Sequence, residues 1–187
     1  MKNKSPLGVP VVSSDFEARR TKLRADLELA RQEFHNLIGS IPEQAWNEPS
    51  HNAGWTNGQL VFHILLGFIL VRPLFVLLVL FGQLPDTFSK FFAGILNFGT
   101  PIFNQINAIG PRFGARLLRR EGIIRKFDQV HDALVTRVNR LRPRYWIMTM
   151  HYPSRWDPRF KADMRLEDLF RYPIAHLRHH RTQVRTT

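Results

Sequence analysis

Between Arg171 and Val184 the chain reads RYPIAHLRHHRTQV, with three histidines inside five residues and arginines around them. His176 and His180 are four residues apart, so on a helix they stack on one face. His179 is turned about 100° away from His180. Two imidazoles one turn apart can chelate a divalent cation, but two ligands hold it weakly, and a third must come from elsewhere. The plainer reading of the pair is a solvated basic helix end. His63, in GQLVFHILL, sits inside a strongly apolar helical stretch. A neutral imidazole there needs partners for its ring nitrogens. It is either the third ligand or a core histidine bonded to a backbone carbonyl.

The other histidines carry weaker signals. His35 and His131 stand beside the core positions Phe34 and Val130, and His51 falls in a loop. His151, with Tyr152 and Trp156, is either a pocket wall or ordinary loop packing. Gln59, Asp168 and Gln183 are candidates for orienting a ligand ring from behind. Their competing roles are a helix cap, stabilisation of a helix dipole, and a surface position. The segment His-Leu-Arg-His-His lacks the glutamate of a His-Glu-x-x-His protease, which excludes that chemistry. No general base or nucleophile is identified, so the catalytic residues stay open.

Four long helices would have to bring these residues together. From Asp15 to Ile41 the apolar positions Phe16, Leu23, Leu27, Ala30, Phe34, Leu37, Ile38 and Ile41 follow helical spacing. Thr56 and Gln59 form a capping-box pair that predicts a helix from Asn57, with His63 two turns in. From Leu60 to Phe81 that helix carries one charge, Arg72, next to Pro73. Length and hydropathy make it a membrane-span candidate, against which a mid-bilayer arginine costs roughly 3 kcal/mol. Ile123, Phe127, Val130, Leu134, Val138 and Leu141 mark a third helix over 121–141. Leu166, Leu169, Phe170, Ile174, Leu177 and Val184 mark a last one over 166–184, which Pro173 should kink or divide. Residues 82–120 are Phe-rich and punctuated by Gly and Pro, which fits short amphipathic helices. These either lie on a membrane surface or pack as a lid on the preceding helix. Residues 142–164 read as loop, and no strand pattern is evident.

The 187 residues suffice for one domain with a sizeable core, and 44% of them are hydrophobic. Absent cysteine excludes disulfides and thiolate metal sites. Lys and Arg number 27 against 15 Asp and Glu, a formal charge of +12. That balance suits an anionic partner, or simply a basic surface. The arginines are scattered and form no nucleic-acid reading motif, so no nucleic acid is expected. The first residues, MKNKSPLGVPVVSS, read as a flexible lead-in over 1–14 without a secretory signal. The location expected is therefore cytoplasmic, with membrane association as the other option.

GWTNGQLVFHI, Gly54 to Ile64, followed about a hundred residues later by LEDLFRYPIAHLRHHRTQ, resembles the DinB/YfiT-like superfamily. The resemblance lies in a Gly-Trp-Thr turn opening the second helix, a histidine farther along it, and His-x3-His on the late helix. RQEFHNLIGSIPEQAWNEP is similar to the family's opening segment. The resemblance implies an all-α, up-and-down four-helix bundle over 15–187, here with a hydrophobic helical insertion between helices 2 and 3. It implies a divalent metal (zinc, nickel, iron or manganese) held by His63, His176 and His180. It also implies a small-molecule substrate, with thiol-dependent transfer using a low-molecular-weight thiol, or hydrolysis, as the reaction classes. The alternative is a non-catalytic helical protein that binds anionic lipid through residues 68–120. A homodimer is compatible with either.

Overall fold

Helix α2 (Asn57–Phe81) begins where the capping pair places it. The Thr56 hydroxyl accepts from the Gln59 backbone N–H, and the Gln59 side chain accepts from the Thr56 backbone N–H. The structure, a computed structural model, describes residues 11–52 and 54–185. The expected lead-in falls outside that range up to residue 10, while 11–14 belong to the first helix.

The element order is α1 (Val11–Gly39), α2, α3 (Asp86–Phe98), α4 (Thr100–Asn139), β1 (Thr149–His151), β2 (Asp163–Arg165) and α5 (Leu166–His180). Short 3-10 turns lie at Gln44–Asn47, Pro143–Ile147 and Arg181–Gln183. The fold is all-α apart from one small hairpin. α1 and α2 each pack against both α4 and α5. This accounts for the apolar character of the earlier part of α2, whereas Val76 and Leu80 near its end stay exposed. Leu60, Ile64, Leu65, Phe68, Val71 and Leu74 are buried between its neighbours, while Arg72 and Pro73 reach solvent. α2 is nonetheless the one described helix long and apolar enough to cross a membrane by length and composition.

The helical spacing read from the sequence identifies the core. Leu23, Leu27, Phe34 and Ile38 of α1 are buried, as are Ile123, Phe127, Leu134 and Val138 of α4. Phe34 stacks on Phe127 with ring centroids 3.7 Å apart, and Phe68 meets Phe127 edge-on at 4.9 Å. Three helices are thereby pinned together. Phe16 and Val130 are only half-buried at the margin.

Three expectations change. Residues 142–164 are not all loop: Thr149–His151 pairs antiparallel with Asp163–Arg165. Three-residue strands are too short for alternation to reveal them. α5 runs undivided through Pro173 and ends at His180, with a 3-10 turn following. The inserted helices are α3 and the first half of α4, which is continuous in sequence with the third bundle helix. The two halves meet at Arg119, whose backbone has φ 54° and ψ −178°. This break kinks the helix between the 100–118 segment and the part that packs in the bundle.

Candidate metal centre

His63 is placed by the second turn of α2, and His176 and His180 by successive turns near the end of α5. α2 packs along α5, so the three rings meet. Their centroids lie 4.7 Å (63 to 176), 4.7 Å (63 to 180) and 4.5 Å (176 to 180) apart. All three residues are buried, at 6%, 2% and 8% relative exposure. One ring nitrogen from each lies within 4.8 Å of the others.

The hydrogen bonds at the rear of the rings set the tautomers. His176 Nδ1 donates to Asp157 Oδ2 at 3.2 Å, and the Tyr172 hydroxyl donates to the same oxygen at 3.1 Å. Asp157 Oδ1 accepts the Arg159 backbone N–H at 2.8 Å. His180 Nδ1 donates to Gln183 Oε1 at 2.7 Å, and Asn52 Nδ2 donates to that same oxygen at 2.9 Å. With both Nδ1 atoms protonated, the Nε2 atoms of His176 and His180 carry free lone pairs into the centre.

Inside the cluster, His63 Nε2 lies 3.2 Å from His180 Nε2. Two nitrogens bound to one tetrahedral zinc are about 3.3 Å apart, given Zn–N near 2.0 to 2.1 Å. His176 Nε2 is buried with no hydrogen-bond partner. A buried lone pair without a donor is costly in an apolar interior. These residues therefore fit a divalent cation: three converging imidazole nitrogens, those of His176 and His180 oriented from behind and that of His176 otherwise unsatisfied.

Electrostatics favour the neutral form of two of the donors. Burial, reinforced by His176 and His180, lowers the pKa of His63 to about 2. Burial and the neighbouring His176 lower that of His180 to about 4, partly offset by Gln183. Burial opposes ionisation of Asp157, but the bonds from His176 and the Arg159 N–H hold its carboxyl below the usual range. Burial pushes the Tyr172 phenol up, so it stays a donor.

The other sequence candidates separate. Gln183 supports His180. Gln59 is used in the α2 cap. Asp168 caps α5 through the Arg165 N–H and pairs with Lys161. Neither faces a ligand ring, because each is held at a helix start by backbone N–H groups. Tyr152 is buried and donates to the Leu74 carbonyl, with Phe160 and Tyr172 between it and His176. His151 bonds the Ala162 carbonyl. His151 and Tyr152 therefore do not line this centre. His35 pairs with Asp128, and His131 with the Leu27 carbonyl.

Asp157, Asn52 and the roof of the centre escape a sequence reading. The Trp55 ring lies 4.6 Å from that of His63, and its Nε1 donates to the Ala108 carbonyl at 3.1 Å. Asn107 approaches the same imidazole without a hydrogen bond to its Nδ1. Phe103 stacks on Trp156 at 4.1 Å. The 100–118 segment of α4 thus covers the cluster. A groove of about 640 Å³ lies elsewhere, between Arg72 and Phe75 of α2 and Lys126 and Arg137 of α4.

The sequence profile of the DinB superfamily matches residues 26–184, a span that holds all three histidines. The chain belongs to the DinB superfamily. No curated protein and no solved structure was found to match it. In this DinB chain the bounds of the match enclose the bundle helices, the hairpin and the α3–α4 segment.

Proposed function

We propose that this DinB protein is a metal-dependent enzyme, a transferase using a low-molecular-weight thiol or a hydrolase, with His63, His176 and His180 holding one divalent cation. The reading is carried by His176 Nε2, a buried lone pair with no donor, beside the facing Nε2 atoms of His63 and His180. When bound, zinc, nickel, iron or manganese supplies Lewis acidity toward a carbonyl, a water or a thiol.

The chain's own groups do the rest. Asp157 keeps the proton on Nδ1 of His176, and Gln183 does the same for His180. Burial disfavours protonation of His63 and His180. Trp55 and the 100–118 segment limit access of water. The chain has no cysteine, so a thiol must arrive with the substrate.

The test is elemental analysis of protein purified without a histidine tag, alongside His63→Ala/His180→Ala. Near-stoichiometric metal in the parent and little in the double variant is expected. Equal metal in both refutes the site. Thiol consumption with an electrophile, against ester or amide hydrolysis by the reconstituted protein, separates the two reaction classes.

A further inference from the structure

Ten of the fourteen large apolar side chains that stand exposed among the described residues fall between Leu84 and Leu117, so they are concentrated on and beside α3 and the first half of α4. On α3, Phe91, Ile95 and Phe98 follow one another at helical spacing along the outer face. On the first half of α4, Ile106, Phe113 and Leu117 do the same. Phe98 is 89% exposed and Leu117 83%. The opposite face of this α4 segment meets the rest of the protein: Ala108 accepts from Trp55, Asn107 approaches His63, and Phe103 stacks on Trp156. The outer face of the segment is apolar and, among the described residues, exposed, while the inner face is the one with partners.

The charges within the stretch from Thr87 to Arg120 are positive, with no carboxylate among them. Lys90, Arg112 and Arg116 are exposed beside the apolar side chains. Asp86, just before that stretch, lies near both Lys90 and His151. A second copy meeting this face across a two-fold axis would set the same cations against each other. A lipid surface carrying negative headgroups pairs them and takes up the aromatic side chains. We infer that the outer face of α3 and of the 100–118 segment of α4 docks on anionic membrane, lying in the interface plane. The inference goes beyond the metal chemistry and does not depend on it.

The experiment is co-sedimentation of the intact protein with phosphatidylcholine vesicles, with and without roughly a third phosphatidylglycerol. Binding to the anionic vesicles at least about tenfold tighter than to the neutral ones, and weakening with salt, is expected. Phe91→Ser/Phe98→Ser/Phe113→Ser should abolish it while the helical circular dichroism persists. Lys90→Glu/Arg116→Glu should weaken it about tenfold or more, and carries the test should the first variant misfold. Absence of binding to anionic vesicles, or binding undiminished in the charge variant, overturns the proposal. So does a dimer in light scattering that the serine variant disperses, because a second copy then covers the face.

Discussion

Asp157 and His176 are joined by a 3.2 Å bond between Oδ2 and Nδ1, although they lie 19 residues apart and the hairpin strand β2 separates them. The carboxylate is largely buried and bonds Tyr172 as well. This pairing directs Nε2 of His176 inward. Replacing Asp157 by Asn keeps the shape and removes the charge. Metal affinity is expected to fall about 10- to 100-fold. Competition against a chromogenic chelator measures it, and an unchanged affinity would remove the orienting role.

Gly67 makes room for the same ring. A Cβ added at residue 67 would lie 2.8 Å from His176 Cδ2. Gly67→Ala gains helix propensity but drives the imidazole from its place, so metal binding should drop while helicity stays. Gly94→Ala is the control. Nothing stands within 4 Å of its added Cβ. There the propensity gain of about 0.5 to 1 kcal/mol should appear as a higher Tm with metal binding intact. Equal metal binding in the two variants would contradict the packing argument.

Acid should destabilise the metal-free protein before carboxylates titrate. The folded-state pKa values of His63 and His180 lie at about 2 and about 4, below the value near 6.5 of an unfolded histidine. Between pH 6.5 and 4 the unfolded chain binds more protons at these sites, so stability falls as pH falls. Each group contributes up to about 1.4 kcal/mol per pH unit in that window. Urea melts at stepped pH should show the slope, and His63→Gln/His180→Gln should flatten it.

Arg119 holds a backbone conformation that glycine adopts freely, at φ 54° and ψ −178°. Such strain costs about 1 to 3 kcal/mol, against roughly 1 kcal/mol for the added freedom of an unfolded glycine. Arg119→Gly should therefore raise stability slightly or leave it level. Arg119→Val should lower it by about 1 kcal/mol or more. Thermal melts of the two variants check the order, and a valine variant as stable as the glycine one would speak against strain at the break.

Much of the framework was legible because its causes are local. Thr56 and Gln59 locate the start of α2 within a few residues, and the spacing of Leu23, Leu27 and Phe34 marks the buried face of α1. His176 and His180 announce themselves by a one-turn separation. Asp157 does not. RWDPRF signals a turn, and the Asp157 bond to the Arg159 N–H is that turn. Nothing in its neighbourhood says that the other carboxylate oxygen meets a histidine on α5. Asp168 misleads for the converse reason, because its distance along the helix from His176 is right but its carboxylate is taken by the helix start.

By itself the amino-acid order determined the helices, their buried faces and the imidazole pair on α5. Periodicity, capping and i,i+4 stacking are short-range effects carried by a few adjacent residues. Tertiary structure alone decided that His63 meets that pair, that Asp157 and Gln183 set the tautomers, and that the Phe-rich segment roofs the cluster with one face while exposing the other. Those relationships arise only when α2 and α5 pack and the chain turns at Arg119, because they join residues whose proximity no local pattern encodes.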